Sequence, residues 1–276
     1  MTLDVPSLAP GLERGADGIW FAPRQAPVSY PKHGNASCLQ IEDRSFWFRH
    51  RNRCIASVAR RFRPEGTLVD IGGGNGYVSK GLMEAGLDCA LLEPGIDGAL
   101  AARSRGIDPV ICARLEDAGI APGSISAAGM FDVLEHIEDE AGALRQVNAL
   151  LRPGGRFFLS VPAYAFLHSA EDVAAGHFRR YTLRTLARAL TASGFTLEYS
   201  TYLFAPLPPI IFLLRTLPSL LRLRRPEDEE LHASEHVREG ISARMMDRLL
   251  DAEARRIELG GTIPFGTSCF VVCTKD

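Results

Sequence analysis

Several signals that would place this chain in a specialised class are missing from it. None of its six cysteines (Cys38, Cys54, Cys89, Cys112, Cys269, Cys273) forms a Cys-x-x-Cys pair, so the spacing offers no zinc knuckle. Cys89 and Cys112 sit in apolar runs, as thiols do when they pack as small hydrophobes in a reducing compartment. A surplus of one charge is also absent. Lys and Arg number 31 against 33 Asp and Glu, for a net charge of −2, which gives no general attraction to nucleic acid. The first eleven residues have no basic start followed by an apolar core, so no secretory leader is expected and the expected location is cytoplasmic. Nor is there a clean apolar run of spanning length. The nearest, residues 203–221, contains Pro206, Pro208, Pro209, Pro218 and Arg215, which would break a membrane helix repeatedly.

What remains is an ordinary globular composition, 46% hydrophobic and 23% charged over 276 residues, enough for one large α/β domain with extensions. Residues 1–44 carry Gly, Pro and single aromatics without periodicity and read as an irregular arm ahead of a domain at 45–276. Ser45 is a helix N-cap. After it Phe48, Ile55, Ala59 and Phe62 share one helical face and the arginines take the other. Apolar strands follow at 67–71, 89–92, 109–112, 125–131, 156–161, 195–202 and 269–273, separated in the main by helical patterns. That alternation predicts a Rossmann-like α/β fold, with seven mostly parallel strands and helices on both faces. The last two strands are roughly 65 residues apart, far beyond a normal loop, so residues 204–264 are expected to form a helical insertion or lid. Within it, Glu227, Asp228, Glu229 and Glu230 read as a solvated acidic face.

The main chemical signal is Val69-Asp70-Ile71-Gly72-Gly73-Gly74-Asn75-Gly76, a glycine turn after a strand and before a helix. Glycine lets backbone approach a ligand closely, and the helix start offers free N–H groups. A dinucleotide fingerprint needs Gly-x-Gly-x-x-Gly. Counted from Gly72 its third position is Tyr77, and from Gly74 it is Ser79, so a nicotinamide oxidoreductase is disfavoured. The pattern Asp70-x-Gly72-x-Gly74-x-Gly76 suits a ligand without a pyrophosphate. It resembles the first motif of class I S-adenosylmethionine-dependent methyltransferases. Glu93 ends the second strand, where the resemblance implies a carboxylate on the ribose diol; the alternative is a cap for the helix that follows. Phe131-Asp132-Val133-Leu134-Glu135-His136 and Leu151-Arg152-Pro153-Gly154-Gly155 are similar to two further blocks of that family.

The resemblance implies S-adenosylmethionine as cofactor, bound by Arg51, Asp70, Gly72, Gly74, Gly76, Glu93, Arg114, Leu115 and Asp132. Arg51 would face the methionine carboxylate, and the backbone at Arg114 and Leu115 the adenine. The methyl carbon of a sulfonium is already electrophilic, so alignment does most of the work and a base helps only when the acceptor is a hydroxyl. His136, at the end of a strand, and His177 are candidate bases, and Tyr181 is a candidate for orienting a hydroxyl. Asp132, Glu135 and His136 are similar to the metal set of ubiquinone-pathway O-methyltransferases. Three ligands within five residues crowd one cation, so no metal is expected there. Tyr30-Pro31 through Asn52, 176–181 and 264–268 resemble bacterial methyltransferases of surface-glycan and lipid-linked sugar pathways. The resulting expectation is methyl transfer, to oxygen, on a small-molecule, glycan or lipid-linked acceptor, with peripheral membrane contact through 203–225. The alternatives are a metal-assisted quinone-type enzyme and a non-catalytic cofactor-binding partner protein.

Overall fold

The computed structural model describes residues 3–23, 39, 41–43, 45–221 and 241–276. Tyr30, Pro31, Cys38, Arg222, Arg224, Arg225 and the acidic run at 227–230 lie outside the described residues. The seven expected strands form at β3 (Leu68–Ile71), β4 (Cys89–Leu92), β5 (Val110–Cys112), β6 (Ile125–Phe131), β7 (Leu151–Pro162), β8 (Phe195–Leu203) and β9 (Ser268–Lys275). Strands β3 to β7 pair in parallel, and β9 runs antiparallel between β7 and β8. Strands β3 to β6 are buried nearly throughout, and β7 from Phe157 to Val161, because helices cover both faces of the sheet.

Two more strands make the sheet nine-stranded, in the order β1-β2-β5-β4-β3-β6-β7-β9-β8. They are β1 (Glu13–Arg14) and β2 (Trp20–Phe21), and they come from the arm expected to be irregular. Each has two residues, too few to show a period of two. A turn closes them, with Gly18 at φ 81° and the Gly15 N–H donating to the Ile19 carbonyl at 2.8 Å. Strand β2 extends the sheet beside β5, and Ile19 is sealed among Leu91, Ile107 and Val110. Ahead of it, the short helix Val5–Leu8 buries Val5 and Leu8, and the Leu8 carbonyl accepts the Ala121 N–H at 3.0 Å. The first part of the arm, residues 3–23, is therefore part of the packed fold.

Helix Phe46–Arg61 starts at Ser45, whose hydroxyl accepts the Trp47 N–H at 3.2 Å. Its arginines do not all face water, as the pattern suggested. His50 and Arg51 are buried while Phe48 is only half-buried. The cause is that the helix is clasped on two sides, by helix Tyr77–Glu84 and by helix Ile241–Glu258. The latter buries Met246, Leu250, Ala254 and Ile257, and its Asp251 and Glu258 accept hydrogen bonds from Arg53 at 2.8 and 2.9 Å.

The insertion leaves β8 at Phe204, a residue with φ 64°. Its described first half is helical: Pro208–Ile211, a five-residue π turn Phe212–Thr216, and Leu217–Leu220. Pro208 and Pro209 stand in the first turn, where a missing N–H costs nothing. The widened turn precedes Pro218, whose ring cannot fit a regular ladder. No described helix is long and apolar enough to cross a membrane.

Gly76 shows why the loop after β3 needs glycine. It has φ 75°, and an added Cβ would stand 2.2 Å from Ile107 Cδ1 and 2.9 Å from Ala102 Cβ. A left-handed alanine costs roughly 1–2 kcal/mol and overpacking roughly 1–3 kcal/mol. Gly76→Ala should therefore lower unfolding stability by about 2–4 kcal/mol in a urea titration; a change below about 1 kcal/mol would show that the turn relaxes freely.

Candidate functional site

A cavity of about 1090 Å³ opens over the carboxyl ends of β3, β4 and β6, where open α/β sheets place their ligands. One end is built by the glycine turn. Gly72, Gly74 and Gly76 all have positive φ, and the Gly72 N–H donates to the Leu92 carbonyl at 2.7 Å. The Glu93 carboxylate accepts the Gly74 N–H through Oε2 at 2.9 Å and the Gly95 N–H through Oε1 at 2.8 Å. Gly95 caps helix Ile96–Ser104, so the capping role is present, and the same carboxylate also braces the glycine turn. Each oxygen keeps lone-pair capacity for a further donor.

Asp70 is buried beneath this turn. Ser79 Oγ donates to Asp70 Oδ2 at 2.6 Å, and Oδ1 has no partner. Burial pushes its carboxyl up from 3.8 to about 6, against the lowering by Ser79 and Arg51. Beside it the buried Arg51 and the half-buried Asp132 form an ion pair. Arg51 lies 4.5 Å over the Trp47 ring, and Asp132, at φ 59°, also accepts Ser160 Oγ at 3.0 Å. At the far end, Ala113, Arg114 and Leu115 line the wall. The Arg114 side chain is turned to Asp117 at 2.7 Å and Glu116 at 3.2 Å, leaving the backbone there as the surface for a flat ring.

The opposite side holds the candidate bases. His136, on the 3₁₀ turn Leu134–His136, and His177 lie edge to face, with ring centroids 4.7 Å apart. Burial and the neighbouring His177 pull His136 down to about 4, so it is neutral at pH 7. His177 Nδ1 contacts Asp172 Oδ1 at 2.7 Å, and Arg180 donates to both Asp172 oxygens. Those bonds hold the Asp172 carboxyl well below its usual range despite burial. Beside the imidazoles lies Glu135, fully buried, with both carboxylate oxygens unpartnered. Burial, reinforced by the charge of Asp132, raises its carboxyl well above the usual value.

Tyr181 is not brought to this cavity. It is buried, with its hydroxyl donating to Glu140 Oε2 at 2.7 Å, because residues 180–181 have turned back toward the sheet, where Tyr181 bridges to Ala163. No sequence pattern gives Asp172 a place in the site or Arg180 its role on Asp172. Glu135 is legible there only as one of a candidate metal set with Asp132 and His136.

Similarity to known proteins agrees with this geometry. A family model described as a methyltransferase domain matches residues 42–200. The chain belongs to that family. A probable S-adenosylmethionine-dependent methyltransferase of Mycolicibacterium smegmatis is 25% identical over 177 residues, 62% of this chain and 68% of that protein. The ubiquinone biosynthesis O-methyltransferase of Xanthomonas campestris pv. campestris is 29% identical over 109 residues, 37% of this chain, and the match spans 46% of that enzyme. Two solved structures share the fold. One is an S-adenosylmethionine-dependent methyltransferase of Thermotoga maritima, with TM-score 0.53, 17% identity and coverage of 87% of this chain and 94% of that one. The other is Haemonchus contortus phosphoethanolamine N-methyltransferase 2 in complex with S-adenosylmethionine, with TM-score 0.54, 16% identity and coverage of 90% and 58%. This methyltransferase is an enzyme, and its cofactor is S-adenosylmethionine.

The raised Asp70 carboxyl gives this methyltransferase a readable pH signature. The folded form holds a proton that the unfolded chain releases near 3.8, so the stabilisation is full below about pH 4 and is lost as pH rises through about 6. Asp70→Asn removes that loss. The cofactor-free variant should exceed wild type at pH 7.5 by up to about 3 kcal/mol, and the difference should shrink toward zero at pH 4 in parallel denaturant melts. A pH-independent difference would show that the carboxyl is not the cause.

Proposed function

We propose that this enzyme transfers the methyl group of S-adenosylmethionine to a hydroxyl on an acceptor with an apolar body. The observation that carries the reading is that one cavity is lined by Gly72–Gly74 and Glu93 at one side, by His136 and His177 at another, and by Leu207, Ile210, Ile211 and Leu214 of the insertion. The cofactor lies along the first side, with its ribose diol on Glu93 and its adenine against Leu115. Its methionine end meets Arg51 and Asp132, a fixed donor for the carboxylate and a fixed acceptor for the ammonium. The methyl group then points toward the imidazoles. A hydroxyl needs a proton acceptor where an amine already has a lone pair, and His177, oriented by Asp172, fits that role.

The apolar wall favours a hydrophobic acceptor over a bare sugar. The ubiquinone O-methyltransferase relatives are named for a product with such character, and a lipid-linked glycan has it too. Phe178 lines the cavity and is exposed, Phe166, Val173, Leu213 and Leu221 are exposed as well, and the sequence continues with Arg222, Arg224 and Arg225. Apolar area beside arginines suits the face of an anionic membrane from which such an acceptor is drawn.

Three measurements check this reading. S-adenosylmethionine and S-adenosylhomocysteine should each raise the melting temperature and NAD should not; equal stabilisation by NAD would refute the cofactor placement. Glu93→Ala should weaken S-adenosylhomocysteine binding by about 1.5–3 kcal/mol by calorimetry. Because Glu93 also braces Gly74 and Gly95, the ribose role requires that loss with little change in the melting of the cofactor-free variant. Replacing Ile211, Phe212 and Leu214 with serine should reduce acceptor turnover or liposome binding while cofactor affinity stays within about twofold. Full activity with unchanged liposome binding would remove the access role, and a product screen across quinols, lipids and glycans by mass spectrometry tests the acceptor class directly.

A further inference from the structure

Glu135, His136 and His177 come from two loops that the fold brings together. Each offers one ligand atom, and these atoms lie within 4.8 Å of one another. Ligand atoms around a cation bound at 2.0–2.1 Å are about 3–3.5 Å apart, so small side-chain rotations close the set. The two loops are already tied by the Phe178 N–H, which donates to the Glu135 carbonyl at 2.8 Å, and the second is closed on itself by the His177 N–H donating to the Asp172 carbonyl at 2.8 Å.

We propose that Glu135, His136 and His177 form a binding site for a divalent transition-metal cation of the zinc, manganese or iron(II) class, open on its fourth side to the acceptor end of the cavity. Three observations carry this. First, Glu135 is fully buried with both oxygens unpartnered, a costly state for a carboxylate unless a cation or donor meets it. Second, His177 is held as metal-ligating imidazoles are held. Its Nδ1 contacts Asp172, which directs Nε2 away from that carboxylate, and His136 has the backbone carbonyls of Ala175 and Gly176 against its ring. Third, all three residues line the cavity, so a bound cation would keep a coordination position for a small ligand. Two imidazoles and one carboxylate suit borderline cations better than magnesium.

The donor set differs from the one read in sequence. Asp132 does not belong to it, because one of its oxygens is engaged by Arg51 and the other by Ser160. His177 takes its place. The crowding that argued against three ligands within five residues disappears when the third ligand comes from another loop.

The catalytic use of this site rests on the hydroxyl reading above. A hydroxyl on the open position would become more acidic. Its O–H bond breaks and the proton passes to bulk water. The oxygen pair forms the bond to the methyl carbon, and the carbon–sulfur bond breaks with its electron pair going to sulfur, leaving a neutral thioether. His177 would then act as a ligand, and no side-chain base would be needed.

The test separates metal binding from acceptor chemistry. The full chain, stripped with a chelator and dialysed, is titrated with Zn²⁺, Mn²⁺ or Mg²⁺ by calorimetry, and Co²⁺ loading is followed by visible absorption. The expected result is one Zn²⁺ or Mn²⁺ per chain, Mg²⁺ at least tenfold weaker, and a cobalt spectrum of nitrogen and oxygen ligation. Glu135→Gln and His177→Gln should each weaken Zn²⁺ at least tenfold with the fold retained by melting, Asp172→Asn should weaken it less, and Asp132→Asn should leave it within threefold. Absence of Zn²⁺ and Mn²⁺ binding by the wild type overturns the site, as does His177→Gln binding like wild type. A loss confined to Asp132→Asn would return the set to Asp132, Glu135 and His136 and overturn the proposal equally. Failure of metal binding leaves the hydroxyl reading standing with His177 as base, whereas failure of that reading with Zn²⁺ still bound leaves the site standing.

Discussion

The ion pair between Arg51, which is buried, and Asp132, which is half-buried, joins the two sides of the cavity. Arg51 belongs to the helix that precedes the sheet, and Asp132 follows the end of β6. Arg51 and Ser160 each engage one carboxylate oxygen of Asp132, which stands in a left-handed backbone conformation that non-glycine residues seldom adopt. The same helix turns Trp47 flat against Phe204, with ring centroids 5.3 Å apart, and sets His50 on Glu253 at 2.8 Å. Glu253 in turn accepts the Phe204 and Ala205 N–H groups at 2.6 and 2.7 Å. One helix therefore carries both Arg51, beside the glycine turn, and the contacts at the point where the insertion leaves the sheet, so these two parts of the cavity wall are geometrically coupled.

What could be read from the sequence followed from short-range physics. The glycine spacing from Gly72 to Gly76 reports positive φ at each of those three residues, which depends only on neighbouring atoms. The seven main strands are uniform apolar runs or clear alternations, and Ser45, Asp139 and Thr182 are N-caps whose side chains accept N–H groups as caps do. The features that escaped are those decided by distant partners. Strands β1 and β2 are too short for periodicity and exist because β5 offers an edge and Ile19 a buried hole to fill. Arg51 is legible as a site residue only through the family resemblance; helical periodicity alone puts it on the polar face, and its burial comes from the two helices that clasp that helix. Tyr181 reads as a site residue until Glu140 takes its hydroxyl.

His177 and Glu135 are legible as candidates, but not their meeting. In sequence His177 is a candidate base and Glu135 a member of a set with Asp132 and His136, and nothing local says that the Glu135 side chain will lie inside with no donor and beside His177. Asp172, far from His136 along the chain, becomes meaningful only when the short helix Ala170–Ala175 ends at Gly176, with φ 78°, and the chain doubles back so that Asp172 meets His177 and Arg180. Such clusters are products of topology, and a linear motif can supply one arm of them but not the closure.

The charge of the cavity suits a sulfonium cofactor better than a dinucleotide. Carboxylates outnumber guanidinium groups along its wall. A pyrophosphate would meet that field as a like charge, and the glycine turn lacks the third glycine that lets a helix start approach it. A sulfonium meets the same field as an opposite charge. The field has a cost, however, because methyl transfer converts the cation to a neutral thioether and an anionic wall favours the cation it starts from. Burial moderates the field at the turn: the Asp70 carboxyl, held up to about 6, keeps part of its population neutral near pH 7. At Glu93 two backbone N–H groups spread the carboxylate charge into the ends of β3 and β4. The site thus combines enough negative charge to select the cofactor with local neutralisation that limits how strongly the reactant is held.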